Sequence, residues 1–161
     1  MEKAEATETS GNSLMAPAGE AGWTYYPLLS LPRALDIVWC RFPTRDKPSN
    51  PGPKSRPALV RSVYLNKNHT RARVEVTYGT SNQKLDTRPL DLVLANATDL
   101  AEMGLPQATR FDLDATVTLP WCEEFFVPRP GQTSPIIGHL NYAGVSQLET
   151  LKVLRRGGRV K

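Results

Sequence analysis

The chain has 161 residues, of which 40% are hydrophobic and 22% charged, a balance typical of a single globular domain. Its 14 prolines and 11 glycines favour turns and short strands over long helices. The formal net charge is +4, and because residues 1–30 hold four glutamates against one lysine, the remainder carries +7. A basic body is compatible with a polyanionic partner such as nucleic acid. No secretory signal is recognised, and no apolar run approaches the roughly 20 residues of a membrane helix.

The cysteine and histidine pattern argues against a metal site. No CxxC pair exists, and His69 and His139 sit at no ligand spacing from Cys40 or Cys122. Cys40 lies within an apolar run and is interpreted as a buried small hydrophobic residue. Nothing requires a disulfide, so a reducing cytoplasm fits the sequence, and neither a metal nor a cofactor is expected.

The first half of the chain predicts a tail, two strands and a long loop. Residues 1–22 lack apolar periodicity and are expected to form a disordered tail, followed by a single domain over residues 23–161. An aromatic segment that opens this domain is expected to pack on the outside of the core. Apolar runs predict strands at residues 35–42 and 57–65. The intervening loop, residues 43–55, is crowded with proline and charge, and loops of this length are commonly functional or disordered.

Two further strands and a short helix come next. Residues 71–78 alternate between apolar and polar side chains, the pattern of a half-buried strand. A short apolar run predicts a strand at residues 90–94. Residues 97–103 are predicted to form a helix that Gly104 ends. The segment Gly79-Thr80-Ser81-Asn82 is predicted to end this strand.

A long strand and a helix complete the predicted fold. Residues 109–119 are predicted to form a strand in which Arg110 and Asp112 share one face, roughly 7 Å apart, while Phe111 points the other way. A C-terminal helix is indicated by apolar side chains at helical spacing, Val145, Leu148, Leu151 and Leu154. Short strands at close spacing with one terminal helix predict a mainly β fold, a small curled sheet or SH3-like barrel of about five to seven strands.

Four motifs in this order resemble the MazF/PemK/Kid family of toxins from type II toxin–antitoxin systems. They are Asp36-Ile37-Val38-Trp39 with Arg56-Pro57-Ala58-Leu59-Val60, then Gly79-Thr80-Ser81, then Gly104-Leu105 with Arg110-Phe111-Asp112, and finally Ile137-Gly138-His139-Leu140. The resemblance spans residues 35–154. The chain departs from the family pattern at Leu35, where glycine is usual, in its N-terminal tail, and in a longer segment at residues 120–135.

The resemblance implies a MazF/CcdB-like barrel that forms a homodimer and cleaves single-stranded RNA at selected sequences without a metal. In this reaction the RNA's own 2′-hydroxyl attacks the adjacent phosphate and leaves 2′,3′-cyclic phosphate and 5′-hydroxyl ends. A cognate antitoxin protein would mask the RNA groove. Two alternatives stay open: a poison of a protein target such as DNA gyrase, as in the CcdB group, and a module that binds RNA without cleaving it.

By the same resemblance the catalytic residues are Arg110, Asp112, Arg56 and Thr80. Arg110 is assigned stabilisation of the transition state, because a guanidinium stays charged and can bind two phosphate oxygens. Asp112 is either the general base or a residue that orients Arg110, since an ordinary aspartate is too acidic for a base at neutral pH. Without a ligand role, Arg110 and Asp112 could form an ion pair and Thr80 could close a turn.

Further RNA contacts are expected from four side chains, Ser81, Lys54, Arg41 and Arg73. The proline-rich loop at residues 43–55 is expected to act as a flap that moves when RNA or the antitoxin binds. Trp39 and Trp121 are expected to make core or dimer contacts, in preference to stacking on bases.

Overall fold

The computed structural model describes residues 22–82 and 88–160. This part of the chain contains six strands, β1 Asp36–Cys40, β2 Arg56–Leu65, β3 Ala72–Thr80, β4 Leu92–Leu94, β5 Thr109–Pro120 and β6 Ile136–His139. It also contains two α-helices, α1 Ala97–Met103 and α2 Tyr142–Val160, and a 3-10 helix at Leu28–Ser30. The predicted tail, apart from Gly22, lies outside the described residues.

The strands form one antiparallel sheet in the order β4-β5-β3-β2-β1-β6. The sheet curls into a half-barrel and α2 follows it, so the predicted mainly β fold, a small barrel with a C-terminal helix, is confirmed. None of the helices in the described part of the chain has the length and apolarity that crossing a bilayer requires.

The short helix predicted at residues 97–103 is confirmed with both of its ends. The side-chain oxygen of Asn96 accepts a hydrogen bond from the backbone N–H of Asp99 at 3.0 Å, which satisfies one of the free N–H groups of the first turn. Gly104 ends the helix with φ +76°, a backbone conformation that costs glycine little.

Two strands differ from the prediction. β3 continues through Gly79 and Thr80, and a side chain at Gly79 would overlap the carbonyl oxygen of Pro57 and approach Phe111 Cε1 to 2.8 Å. The glycine therefore allows β2 and β5 to stay close to β3. β6 is absent from the prediction, because Gly138 interrupts a run of only four residues and glycine weakens a strand signal.

Two apolar clusters form on opposite faces of the sheet. One contains Trp121, Phe125 and Phe126, none of them exposed, together with inward-facing side chains of β1 to β3. Trp121, which was expected to make core or dimer contacts, lies in this core cluster. The N-terminal aromatic segment packs on this cluster as predicted, with Trp23 5.1 Å from the Phe125 ring and the backbone N–H of Tyr26 bonded to the Trp121 carbonyl at 3.1 Å.

The second cluster lies between the sheet and the helices. Leu148 and Leu151 of α2 are buried in it beside Phe111 of β5. Leu154, predicted on the same helix face, is instead 50% exposed. Six residues separate it from Leu148, which at 3.6 residues per turn rotates its side chain about 120° away from that face.

Candidate functional site

Side chains from three neighbouring strands meet at one end of the sheet. Ala58 of β2 pairs with Tyr78 of β3, and Thr80 pairs with Arg110 of β5. Side chains alternate between faces along each strand, so Arg56, two residues before Ala58, shares the face of Tyr78 and Thr80. The fold thus brings together residues that lie far apart in the sequence.

An irregularity in β5 shapes this end of the sheet. Thr77 pairs with Thr116 and Gly79 with Phe111. These pairs are two residues apart on β3 but five residues apart on β5, so β5 contains extra residues between them. The extra residues form a bulge, and bulges commonly re-aim side chains near functional sites. Here the bulge carries Asp112 to the border of a groove.

The groove has a volume of about 820 Å³ and lies between the sheet and the loop at residues 43–55. Its lining includes three cations, one carboxylate and two aromatic rings, namely Arg45, Lys54, Arg56, Asp112, Phe42 and Tyr78. Within residues 22–82 and 88–160, none of the three cations makes an ion pair. The groove therefore presents three cations that have no ion-pair partner in the described part of the chain, beside apolar surface.

The Arg56 guanidinium packs over an aromatic ring. Its guanidinium carbon lies 5.9 Å from the centroid of the Tyr78 ring, within cation–π range. The Phe42 ring meets Tyr78 edge-on, with centroids 5.1 Å apart and planes at 61°. The following residue, Pro57, favours an extended backbone at Arg56. These contacts hold the cation at the groove without using any of its N–H donors.

The proline-rich loop has a fixed base. Arg41 Nε donates to the carbonyl oxygen of Gly52 at 2.8 Å, and the Gly52 N–H returns a bond to the Arg41 carbonyl at 2.9 Å. A side chain at Gly52 would overlap the Phe42 carbonyl oxygen. Arg41, predicted to bind RNA, thus holds the loop in place. Movement of the loop as a flap stays a prediction.

Arg110 is only 6% exposed and is not among the residues that line the groove. Its Nη1 donates to Asp91 Oδ2 at 2.7 Å, and its Nε donates to the carbonyl oxygen of Asn82 at 2.7 Å. Asp91 precedes β4 and is itself 3% exposed. The carboxylate that orients Arg110 in this fold is therefore Asp91. From the sequence, Asp112 was one candidate for that role.

Asp112 is held by Arg88, at the start of the segment that carries Asp91. Arg88 Nη2 donates to Asp112 Oδ1 at 2.6 Å and to Asp114 Oδ2 at 2.9 Å. Arg155 of α2 also donates to Asp114. The hydrogen bond from Arg88 to Asp91 raises the pKa of the Arg88 guanidinium, which keeps the charge that binds these carboxylates. An ion network thus connects β5, the segment before β4, and α2.

Opposing effects set the charge of Asp91. Burial by itself would raise the pKa of this carboxyl, but hydrogen bonds from Arg88 and Arg110 and the charge of Arg88 outweigh it, so the pKa lies below its ordinary value. Asp91 is accordingly a carboxylate at neutral pH, as its two guanidinium partners require.

Asp91→Asn is expected to lower the free energy of unfolding at neutral pH, by an amount that shrinks in acid. A carboxyl whose pKa is lowered by folding stabilises the chain fully above its unfolded pKa of 3.8, and this stabilisation is lost as the pH falls through the lower folded value. Urea denaturation of both proteins between neutral pH and about pH 3 measures the difference. A difference that does not decline below pH 3.8 contradicts the lowered pKa.

The remaining predicted residues divide between the site and the rest of the fold. Thr80 is 7% exposed and its Oγ1 accepts from the backbone N–H of Asn82 at 3.1 Å, so it closes a turn beside Arg110. Ser81 is exposed next to it. Arg73 is buried on β3 at an odd spacing from Tyr78, on the opposite sheet face, with Nη2 3.5 Å from the Thr118 carbonyl. Arg73 is therefore not brought to the groove.

Sequence reasoning missed three residues of this site, Arg88, Asp91 and Tyr78. Tyr78 carried a signal, since it ends the alternating run of β3. Arg88 and Asp91 carried little, because Arg88 lies in a polar segment and Asp91 is a single charged residue within the short strand predicted at residues 90–94. Their contacts depend on β4 pairing with β5, as in Val93 with Arg110.

Residues 22–82 and 88–160 contain no group of three or more His, Cys, Asp or Glu side chains that could hold a metal ion. The absence of a metal or cofactor in the reaction stays a prediction. The fold and the groove define a small curled β-sheet protein with a cationic, aromatic-lined groove. No protein-family model matches the chain, and a search of curated proteins gives no match.

Proposed function

We propose that this chain is the toxin of a type II toxin–antitoxin system, a sequence-selective endoribonuclease that cleaves single-stranded RNA without a metal. The groove carries this proposal, because Arg45, Lys54 and Arg56 line it without an ion-pair partner among the described residues. Unpaired cations suit a phosphodiester backbone. The Tyr78 ring beside them suits an unstacked base, since base–aromatic stacking is common in single-strand binding.

Two guanidiniums would stabilise the transition state. Arg56 keeps all its N–H donors available, as none makes a hydrogen bond within the described residues. Arg110 uses Nε and Nη1, and its Nη2 makes no hydrogen bond to a described residue. Donors fixed before the reaction stabilise the developing phosphorane charge without reorganising. Thr80 completes this set, because its hydroxyl accepts one bond from Asn82 and can still donate its own proton.

Asp112 is assigned the role of general base. Its Oδ1 accepts hydrogen bonds from Arg88 at 2.6 Å and from the Asp114 N–H at 3.0 Å. Its Oδ2 makes no hydrogen bond to a described residue, which leaves this oxygen for the 2′-hydroxyl proton. A base must reach the proton that it removes, and Asp112 lines the groove in which the RNA would lie.

The proposal includes a homodimer, a cognate antitoxin and a cytoplasmic location. Tyr142 and Val153 are 88% and 57% exposed and, eleven residues apart in α2, lie on one helix face, which supports a contact between two copies. The cationic groove would accept an acidic antitoxin segment in place of RNA. Cys40 and Cys122 are both free and buried, as suits a reducing compartment.

Incubation of the purified chain with a long unstructured RNA in EDTA is expected to give defined fragments. Their 5′ ends should accept phosphate from a kinase without prior phosphatase treatment, and their 3′ ends should carry a 2′,3′-cyclic phosphate. The matched control is the same RNA with a single 2′-deoxynucleotide at the mapped cleavage site. Cleavage at that site contradicts attack by the 2′-hydroxyl, and RNA that stays intact contradicts the proposed activity.

One observation favours a second function, RNA binding without cleavage. The Asp112 carboxylate is already bonded to Arg88 at 2.6 Å and to the Asp114 N–H at 3.0 Å, so the fold accounts for this side chain without a catalytic role. Tight RNA binding with no cleavage would support this reading. A protein-target poison of the CcdB kind, by contrast, has no need of three groove cations that lack an ion-pair partner among the described residues.

A further inference from the structure

Asp91 is a buried carboxylate whose two oxygens accept four hydrogen bonds. Its Oδ2 accepts from Arg110 Nη1 at 2.7 Å and from Arg88 Nε at 3.1 Å. Its Oδ1 accepts from Arg88 Nη2 at 3.3 Å and from the backbone N–H of Leu113 at 3.3 Å. Both oxygens are therefore occupied, in a side chain only 1% exposed.

We infer that Asp91 is a positioning residue for RNA cleavage, one that fixes Arg110 and Asp112 together without touching the RNA. It reaches Arg110 directly. It reaches Asp112 by two routes, through Arg88 and through Leu113 N–H in the β5 bulge that presents Asp112 to the groove. This inference rests on the proposed function and names the residue that gives the site its geometry.

The role falls to Asp91 because of its place in the fold. Arg110 and Asp112 sit on the same strand but make no hydrogen bond with each other within the described residues. Both oxygens of Asp91 are occupied by contacts inside the fold and the residue is only 3% exposed, so it would act on the RNA only through the residues that it holds. Its loss should consequently affect the rate of cleavage and leave RNA affinity unchanged.

The test compares Asp91→Asn and Asp91→Glu in the full chain with a matched control, Asp36→Asn. Asp36 is a carboxylate of similar burial, 6% exposed, that bonds to His139 Nδ1 at 2.7 Å and to the Arg33 N–H at 2.8 Å, with no contact to the groove. Single-turnover cleavage of a short RNA gives the rate. The same RNA with a 2′-deoxynucleotide at the cleavage site gives the affinity. Thermal denaturation sets a temperature at which each variant is folded.

Asp91→Asn is expected to cleave up to about 100-fold more slowly with unchanged affinity, because a small misplacement of the reacting groups can cost about that much in rate. Asp91→Glu keeps the charge and should fold, but displaces the carboxylate by about 1 Å and should also be slow, roughly 100-fold. Asp36→Asn should cleave at the wild-type rate.

A wild-type cleavage rate in folded Asp91→Glu overturns the inference. So does a fall in cleavage rate in Asp36→Asn that equals the fall in the Asp91 variants. A third contradicting result is Asp91 variants that lose RNA affinity but keep the wild-type cleavage rate. If Asp91→Asn does not fold, Asp91→Glu alone decides. A wild-type chain that cleaves no RNA overturns the proposed function. A wild-type chain that cleaves RNA, with Asp91 variants that cleave at the same rate, overturns only the role of Asp91.

Discussion

Arg56→Ala is expected to lower RNA cleavage by about 100-fold or more while the fold stays intact, because one preorganised donor at such a site supplies about that much. Arg56 makes no hydrogen bond or ion pair within the described residues, and its contact with Tyr78 is a weak cation–π interaction. The substitution therefore removes a phosphate-binding charge with little effect on packing. Cleavage kinetics and thermal denaturation of the same preparation measure the two effects.

Arg61→Ala is the matched control for this variant. Arg61 belongs to the same strand and carries the same charge, but its Nη1 lies 3.3 Å from the hydroxyl of Thr77, on the sheet face opposite Tyr78. Its removal should leave cleavage close to wild type. Equal losses from the two substitutions would attribute the effect to net charge and contradict a specific role for Arg56. Arg56→Lys should recover only part of the rate, since lysine cannot bind two phosphate oxygens at once.

Gly138→Ala is expected to destabilise the chain by about 3 kcal/mol, near the upper end of the usual cost of overpacking. A Cβ at Gly138 would overlap the carbonyl oxygen of Met103 and come within 3.2 Å of the Gly104 nitrogen. Both neighbours are backbone atoms at the end of α1, so neither a rotamer change nor a small shift relieves the clash. For a chain of this size the melting temperature should fall by roughly 6–12 °C.

Gly157→Ala is the corresponding control, because nothing lies within 4 Å of the Cβ that it adds. Gly157 is exposed in α2, where alanine should stabilise the helix by up to about 1 kcal/mol. Denaturation curves in urea compare the two variants with the wild type. If Gly138→Ala were as stable as the wild type, β6 and α1 would not pack as closely as the fold shows.

The elements of the fold could be predicted from local patterns. The alternation along residues 71–78 marked β3, and Gly104 marked the end of α1. Errors occurred where glycine hides the pattern. Gly79 continues β3 and Gly138 lies inside β6. Glycine is required at both positions because a neighbouring backbone or ring leaves no room for a side chain. A sequence shows that a glycine is present, but the neighbour that excludes a Cβ is visible only in the fold.

The candidate site was predictable in part. Arg56, Lys54 and Asp112 do line one groove, and Thr80 lies opposite Arg110. Arg41 and Arg73 were expected to contact RNA, but the charge of a residue does not tell a solvent-facing arginine from one that fixes a loop or lies on the other sheet face. The distinction depends on hydrogen-bond partners contributed by distant strands.

The sequence by itself determined a basic, mainly β domain with a terminal helix, because alternation, turns and helical periodicity are local properties. Only the tertiary structure decided which carboxylate forms an ion pair with which guanidinium. Arg110 and Asp112 are two residues apart and suggest a pair, yet Arg110 binds Asp91, and Asp112 binds Arg88. Strand pairing brings β4 beside β5, and a buried charge takes the partner that reaches it with the best geometry.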